Sequence, residues 1–264
     1  MRIIVCVKQV PGTTNVEVDP VTGTLKRDGV SSKLNPYDLF ALETAFRLKD
    51  KFGGEVVTLS MGPDQAKEAL LETVYMGADH GYLISDRVFA GSDVHATSYA
   101  ISLGVLAIGN YDLIICGKQT TDGDTAQVGP ELSEWLGIDH AANILSIEDV
   151  DSQSVTVTMN MDDCLQSQKM QFPCLITIEK DAVTPRLPSY LRKKNVENPE
   201  EVLTVFSAKS FDNIDYDRCG LKGSPTQVRR IFPPEKNTEK TVHNGNAEKL
   251  CEELFGILEN GKYV

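Results

Sequence analysis

The amino-acid sequence predicts an α/β protein in which helices cover both faces of a parallel β-sheet, giving three layers. In the first 140 residues, short β-branched and aliphatic runs alternate four times with segments of helical periodicity. Such alternation produces parallel strands joined by crossover helices. Hydrophobic residues make up 41% of the 264-residue chain, which is enough for the core that a three-layer domain buries.

The four strand–helix units follow one another along the chain. The predicted strands cover residues 3–7, 56–60, 82–84 and 113–116, and each is followed by a helix with apolar residues three or four positions apart. The apolar positions of the four helices are Leu39, Leu42 and Phe46; Ala66, Ala69, Leu70 and Val74; Val94, Thr97, Ile101, Val105 and Ile108; and Val128, Leu132, Trp135 and Leu136.

The first helix has a clear start signal. Asn35 is predicted as its N-cap, Pro36 as its first helical residue, and Asp38 lies in the first turn. Residues 13–33, with a turn at residues 19–23, are expected to form a surface hairpin before this helix.

Beyond residue 140 the pattern changes. Residues 155–159 alternate as an exposed antiparallel strand would, and residues 175–178 form an apolar strand. From about residue 181 the chain is irregular and punctuated by proline, until a helical period returns over residues 245–259. This last amphipathic helix either folds back on the sheet or forms an arm that embraces another subunit.

Composition argues against several classes of protein. The 26 basic and 38 acidic residues give a formal net charge of −12, which does not suit a nucleic-acid-binding protein. No apolar stretch is long enough to span a bilayer, and the N-terminus does not read as a signal peptide. The six cysteines contain no C-x-x-C pair and the four histidines lack ligand spacing. We therefore expect a cytoplasmic protein with no metal site, no membrane span and no nucleic-acid partner.

A ligand site is predicted at the carboxyl edge of the sheet, where open parallel sheets bind their ligands. Residues 6–11, 61–63 and 117–130 all reach that edge. Gly117 and Gly123 would let the backbone approach a phosphate closely, and the segment runs into a helix whose first N–H groups lack internal partners. The alternative is a solvated loop with Asp122 and Asp124 as turn and cap residues, since the segment matches neither the Walker nor the G-x-G-x-x-G pattern.

Nucleophilic catalysis finds little support in the sequence. There is no G-x-S-x-G elbow, and the four histidines lie in unrelated contexts. Cys6, at the end of a buried strand, has the character of a small core residue.

Five segments resemble the β subunit of electron-transfer flavoproteins and occur in the same order. They are IIVCVKQVP at residues 3–11, LNPYD at 34–38, SMGP at 60–63, MGAD at 76–79 and the loop at 117–130. The resemblance runs from residue 1 to about 234, with a departure at Gln168, where the family usually has an aliphatic residue. It implies an adenine nucleotide hydrolase-like fold over residues 1–234, with an antiparallel extension. It also implies a C-terminal arm over residues 235–264, whose helix packs on the α subunit.

The resemblance implies a set of cofactor-binding residues but no catalytic side chain and no metal. Cys6 and Met61 would approach the adenosine, residues 35–38 would line the same pocket, and residues 117–128 would wrap the phosphates. The set comprises Cys6, Asn35, Pro36, Tyr37, Asp38, Met61, Gly117, Lys118, Gln119, Thr120, Thr121, Asp122, Gly123, Asp124, Thr125, Ala126, Gln127 and Val128.

Within the family, the loop is similar to the electron-bifurcating branch, in which a second FAD replaces AMP and meets NADH. The AMP-holding carriers usually read Asp-Asp-Asp-x-Asn-Gln-Thr-Gly, whereas residues 122–130 read DGDTAQVGP. Residues 220–226 are also similar to that branch. The hypothesis is that Gly123, Ala126 and Val128 remove groups that would hold a terminal phosphate, so that the pyrophosphate continues towards a flavin.

The implied function is that of a heterodimer with an FAD-holding α subunit. The complex would take electrons from NADH and divide them between a flavin dehydrogenase, such as an acyl-CoA dehydrogenase-like partner, and ferredoxin, or run in reverse. This chain would be one subunit of a flavin-dependent, NAD-linked oxidoreductase and would not be catalytic alone. A partner-recognition loop is implied at about residues 184–196. Its recognition residues are Arg186, Leu187, Pro188, Tyr190 and Leu191.

Two alternatives stay open. One is a simple AMP-holding carrier between an acyl-CoA dehydrogenase and a quinone reductase. The other is an ATP-binding sensor or hydrolase of the same fold, which would contain no flavin.

Overall fold

The computed structural model describes residues 1–12, 32–228 and 240–264. The chain divides into two compact units, Met1–Arg229 and Arg230–Val264. The turn predicted at residues 19–23 and the boundary predicted between residues 234 and 235 both lie outside the described residues.

The first unit is built on a nine-stranded sheet with the order β11-β5-β4-β1-β6-β10-β7-β8-β9. All pairs from β11 to β7 are parallel, and β8 and β9 add to β7 in antiparallel fashion. The strands are β1 (Arg2–Cys6), β4 (Glu55–Met61), β5 (His80–Ile84), β6 (Leu113–Gly117), β7 (Asp139–Val150), β8 (Ser154–Asn160), β9 (Leu165–Gln171), β10 (Cys174–Ile178) and β11 (Leu203–Phe206). The four predicted strand–helix units are confirmed.

Helices cover both faces of this sheet. They are α1 (Pro36–Phe52), α2 (Ala66–Met76), α3 (Val94–Ile108) and α4 (Val128–Leu136). Successive residues of β1 point to opposite faces: Ile3 and Val5 pack with α1 and α2, and Ile4 packs with α3 and α4. The predicted three-layer architecture is therefore confirmed.

A separate two-stranded sheet lies just beyond the carboxyl end of β1. Strand β2 (Gln9–Pro11) pairs with β3 (Ser32–Leu34) in antiparallel fashion, with Gln9 opposite Leu34. This pairing brings together the two ends of the segment predicted as a hairpin and leads directly into α1.

The antiparallel extension is larger than the sequence pattern indicates. Strands β7 and β9 are not among the predicted elements, and they flank β8 on both sides. The alternating antiparallel strand predicted at residues 155–159 is confirmed as β8. Val155, Val157 and Met159 are buried, because one face of β8 packs on the core shared with α1 and α2.

The irregular region predicted after residue 181 contains a helix and a strand in addition to short 3-10 turns. Helix α5 covers Tyr190–Asn195, and β11 pairs with β5 in parallel register, Leu203 opposite Gly81. A Cβ on Gly81 would lie 2.6 Å from Leu203 Cδ2, so this glycine allows the edge strand to pack closely. The four residues of β11 are too few to show a periodicity.

The second unit contains helix α6 (Ala247–Asn260), which confirms the helical period predicted for residues 245–259. Asn246 caps it by accepting a hydrogen bond of 3.0 Å from the backbone N–H of Lys249. No α6 residue is buried, and Leu254, Phe255 and Ile257 are all more than half exposed. Across the part of the chain that the structure describes, no helix is both long and apolar enough to cross a membrane.

Candidate functional site

Three segments of the chain meet at the carboxyl edge of the sheet, where β1 and β6 lie side by side. Cys6 ends β1 and is paired in register with Cys116, the next-to-last residue of β6. Helix α1 begins beside them, and its first turn contacts both the residue after Val7 and the loop after Gly117. Two of the three segments predicted to converge here, residues 6–11 and 117–130, thus meet in the structure, and the start of α1 joins them.

Asn35 links the start of α1 to the loop that follows β6. It occupies the predicted N-cap position, but its side chain makes no capping hydrogen bond. Instead its Nδ2 donates to the carbonyl oxygen of Gln119 at 2.8 Å, and its Oδ1 accepts from the backbone N–H of Thr121 at 3.3 Å. Because Asn35 is fully buried, these bonds satisfy its polar atoms and fix the base of the loop.

Asp38 is a buried carboxyl group in the first turn of α1. Its Oδ2 accepts a 2.7 Å hydrogen bond from the backbone N–H of Lys8, and its Oδ1 accepts a 2.9 Å bond from Asn35 Nδ2. Burial raises the pKa of Asp38 to about 7, although the hydrogen bonds from Asn35 and Lys8 act in the opposite direction. One carboxyl group therefore joins the β1 segment to the start of α1.

Lys8 and Asp122 form an ion pair that joins the β1 segment to the middle of the loop. Lys8 Nζ lies 2.8 Å from both carboxylate oxygens of Asp122. Burial would raise the pKa of Asp122, but the hydrogen bond and charge of Lys8 outweigh it, so this pKa lies below its ordinary value. Lys8 is absent from the predicted site residues, and its position directly beyond a buried parallel strand is the signal that identifies it.

The glycines of this region differ in whether packing requires them. A Cβ on Gly117 would lie 2.8 Å from the backbone carbon of Tyr37, and one on Gly129 would lie 2.6 Å from Thr177 Cγ2. Both glycines are therefore required by packing, and the approach of a ligand's phosphate to Gly117 stays a prediction. A Cβ on Gly123 would have only Thr120 Oγ1 nearby, at 3.5 Å, so packing does not require a glycine there.

The exposed part of the loop has an unusual backbone and ends at an open helix terminus. Asp124 and Ala126 have φ angles of 54° and 56°, in the left-handed region that costs energy for residues with a side chain. Asp124 is held by a short hydrogen bond from Gln119 Nε2. Gln127, at the N-cap of α4, makes no side-chain capping bond, so its side chain does not compete with an anion for the first N–H groups.

Two further predicted residues have structural partners. Lys118 Nζ pairs with Glu179 at 2.8 Å, which turns this cation towards the strand β10 side of the loop. Met61 ends β4 and is half-buried in the core beneath α3 and α4. Both residues lie at the carboxyl edge, and their contact with a cofactor stays a prediction.

Two cysteines, Cys6 and Cys116, lie beneath the site. Cys6 and Cys116 are both buried, and a hydrogen bond to Cys6 together with burial raises the pKa of Cys116 well above its ordinary value. The Cys116 thiol therefore stays protonated at neutral pH and is a poor nucleophile. The side chains that meet here can bind, orient and neutralise charge.

The segment at residues 220–226 is held at the start of α3, on the same edge of the sheet. The backbone N–H and the hydroxyl group of Thr226 donate to Asp93 Oδ2 at 2.9 and 2.7 Å. Ser224 Oγ accepts from the backbone N–H of Asp93 at 2.8 Å. Residues 220–226, which the sequence pattern links to the loop at 122–130, are therefore part of the same edge.

The loop predicted for partner recognition exposes three large apolar side chains. Leu187, Tyr190 and Leu191 are 87, 81 and 65% exposed. Arg186 has a different environment, because its guanidinium group lies 2.8 Å from Glu43 Oε2 and 2.8 Å from Asp50 Oδ2, both on α1. The structure therefore makes Arg186 the anchor of the loop, beneath the exposed side chains.

Glu43 is the buried half of this anchor. Burial raises its pKa, but the hydrogen bonds from Arg186 and Arg47 outweigh that effect, and the pKa lies below its ordinary value. The anchoring role of Glu43 is not predicted from the sequence, since an acidic residue in a helix usually indicates only a solvated face.

With this geometry established, comparison with known proteins identifies the family. The model of the electron transfer flavoprotein domain matches residues 22–203, which is more than half of the chain. The chain belongs to the electron transfer flavoprotein family. The resemblance stated from the five sequence segments is thereby confirmed, and the fold agrees with membership.

Relatives of this family member are similar over almost their whole length. The electron transfer flavoprotein subunit beta of Thermoanaerobacterium thermosaccharolyticum is 40% identical over 264 residues, with both chains fully covered. Protein FixA of Azorhizobium caulinodans is 40% identical over 266 residues, covering 97% of this chain and 94% of the relative. The caffeyl-CoA reductase-Etf complex subunit CarD of Acetobacterium woodii is 41% identical over 262 residues, covering 98% of each.

The anchor of the exposed loop gives a pH-dependent prediction. Glu43→Gln is expected to lower the free energy of unfolding by about 1–3 kcal/mol at pH 7, because a charged hydrogen-bonded pair is lost. A carboxyl group whose folded pKa is lowered stabilises above its ordinary pKa of 4.5, and this stabilisation is lost as the pH falls further. Chemical denaturation at pH 7 and pH 4 should therefore show a difference that shrinks at pH 4. Glu134→Gln, at an exposed position of α4, is the control and should change the free energy of unfolding little. If Glu43→Gln lowers the free energy of unfolding equally at both pH values, the ion pair is contradicted.

Proposed function

We propose that this chain is the β subunit of an electron-bifurcating electron transfer flavoprotein. With an FAD-holding α subunit, it would take electrons from NADH and divide them between a flavin dehydrogenase and ferredoxin, or run in reverse. It would act as one subunit of a flavin-dependent oxidoreductase, without catalytic side chains of its own. A cytoplasmic location stays a prediction from the sequence.

The observation that carries this proposal is the cradle at the carboxyl edge of β1 and β6. Asn35 and the Lys8–Asp122 pair tie the loop at residues 117–128 to two other segments, and the N-terminus of α4 has no side-chain cap. An adenine nucleotide fits this donor set. Backbone N–H groups at a helix start favour phosphate, and Lys8 offsets the charge of Asp122, which would otherwise repel it.

The choice of FAD over AMP rests on the loop itself. Gly123 is required neither by packing nor by a left-handed backbone, and Ala126 holds a costly φ of 56° without a side chain that could stabilise it by hydrogen bonding. Local structure therefore explains neither residue, which supports a role in leaving space for a larger ligand. When bound, FAD supplies the redox chemistry; the residues of this chain hold it, orient it and balance its charge.

The partner proposals rest on exposed apolar side chains. Leu187, Tyr190 and Leu191 form a compact apolar projection on a loop that Arg186 anchors to α1, and such side chains are typical of interface centres. We propose that residues 184–196 bind a flavin dehydrogenase, with Arg186 and Pro188 shaping the loop. We also propose that residues 235–264 are an arm on the α subunit, supported by the exposed apolar residues of α6.

The first experiment is to co-purify the chain with its α subunit, release the cofactors and quantify them by chromatography. We expect two FAD and no AMP per heterodimer, and a variant Asp124→Lys that retains only the α-bound FAD. One FAD and one AMP would instead indicate the simple carrier. A complex without flavin would contradict the proposed function and leave the ATP-binding sensor or hydrolase. Unchanged cofactor content in Asp124→Lys would contradict the placement of the site in this loop.

A second prediction concerns the exposed loop. Leu187→Ser should slow electron transfer to an acyl-CoA dehydrogenase about tenfold or more, because an apolar anchor is removed from the proposed interface. Cofactor content should not change. The matched control is Leu106→Ser on α3, a leucine that is also exposed, at 64%, and lies outside the loop. Equal rates for Leu187→Ser and the control would argue against this loop as the partner contact.

The proposed arm can be tested by changing its apolar face. Leu254→Glu places a charge at a position that is 56% exposed in this chain and that would be buried against α. We expect the α subunit to be lost on co-purification, whereas Glu248→Gln on the same helix should retain it. Recovery of the full heterodimer with Leu254→Glu would rule out packing of this helix on α.

A further inference from the structure

We propose that Asp38 is the positioning residue of the nucleotide site, and that its carboxylate form holds the three converging segments in the arrangement that binds. The inference deepens the proposed function and rests on it. Asp38 itself need not touch the nucleotide.

The contacts of Asp38 reach all three segments. Its two oxygens accept from the backbone N–H of Lys8 and from the side chain of Asn35, at 2.7 and 2.9 Å. On the third side Asp38 packs against Gly117, where a Cβ would collide with its carboxyl group and would lie 2.9 Å from its backbone nitrogen.

The hydrogen-bond chemistry requires a carboxylate. Each oxygen of Asp38 faces a donor, and a deprotonated carboxyl group is the only form with two full acceptors. A protonated carboxyl group, or an asparagine side chain, would turn a donor towards either Lys8 N–H or Asn35 Nδ2. One of the two ties would then be lost, and Asn35 would no longer be held in position to grip Gln119 and Thr121.

The groups around Asp38 place its protonation near neutral pH, so the requirement for a carboxylate depends on pH. Asp38 is buried, and the titratable groups that face it are Lys8 from the β1 segment, Asp122 from the loop and Cys116 from β6. Burial disfavours the carboxylate most, and the charge of Asp122 adds to that effect, whereas Asn35 and Lys8 favour the carboxylate. Together they bring the pKa of Asp38 to about 7. The carboxylate therefore predominates above pH 7 and is lost as the pH falls below it.

The chain offers a matched control at the opposite edge of the sheet. Asp79 also accepts from a backbone N–H, that of Val56 at 2.8 Å, and also contacts α1, through Lys49 Nζ. It makes the same kind of tie without facing the nucleotide site. Asp38→Asn and Asp79→Asn thus each change a carboxylate that accepts from a backbone N–H, the first buried at the start of α1 and the second exposed near its end.

The test measures the adenine content per heterodimer of the intact αβ complex, by chromatography after gel filtration at pH 6, 7 and 8. Adenine content reports FAD and AMP alike. The wild type and Asp79→Asn should hold two adenine groups at pH 8 and lose the second as the pH falls through 7. Asp38→Asn should hold only one adenine group at every pH, because the second group dissociates roughly tenfold faster even at pH 8 and is lost during gel filtration.

The outcomes separate the two proposals. A second adenine group that stays bound in Asp38→Asn, or one whose retention in the wild type does not change between pH 6 and 8, would overturn the positioning role and leave the proposed function intact. If Asp38→Asn does not assemble with α, the pH series on the wild type alone decides. A wild-type complex without a second adenine group at any pH would contradict the proposed function itself.

Discussion

Strand β1 lies between β4 and β6, and both the core and the candidate site depend on this position. The chain proceeds outward from β1 first through β4 and β5 and then, on the other side, through β6. The crossover helices of the two halves consequently cover opposite faces, α1 and α2 on one and α3 and α4 on the other. A crevice forms at the carboxyl end of β1, because the chain leaves it in different directions on the two sides.

The crevice is lined at a cost to the stability of the fold. Asn35 and Asp38 are buried polar residues in a position where apolar side chains would be less costly, and Asp124 and Ala126 hold left-handed backbone conformations. Stability alone would not select these features. They are concentrated in one region, around the ends of β1 and β6, whereas the sheet beneath contains fully buried aliphatic residues such as Ile4, Ile114 and Ile115. The buried aliphatic residues of the sheet thus support the polar and strained residues around the ends of β1 and β6. This arrangement is expected of a binding site on a stable scaffold.

The sequence predicts the parts of the structure that depend on local pattern. The strands that contain Ile3, Val57 and Ile114 are apolar on both faces and are separated by helices, so their order and parallel arrangement follow from periodicity. Strand β9 is missed because it is polar and largely exposed, and β7 because only two of its 12 residues are buried. Pairing with β8 stabilises both strands more than their own composition does. Strand β11 is missed because four residues carry too little pattern.

The same distinction applies to the site. The loop at residues 117–128 and the start of α1 are predicted from turn and cap signals, since these signals are local. The roles of Lys8 and Glu43 depend on partners 114 and 143 residues away in the chain, Asp122 and Arg186, and no local pattern encodes such pairs. Asn35 shows how far local signals predict a residue's role. Its position as an N-cap is predicted correctly, but its hydrogen bonds go to a loop more than 80 residues further on.

Helix α1 connects two separate regions of the first unit. Its first turn holds Asp38 at the nucleotide crevice, and further along the same 17-residue helix Glu43 and Asp50 hold the exposed loop through Arg186. Since a helix rises about 1.5 Å per residue, the span from Asp38 to Asp50 fixes a separation of roughly 18 Å along one axis. The helix therefore sets the distance between the two regions. Inserting a single residue between these anchors would lengthen it only slightly but would turn one set of contacts by about 100° relative to the other. The spacing and the orientation of the two regions are thus set together by the register of one helix.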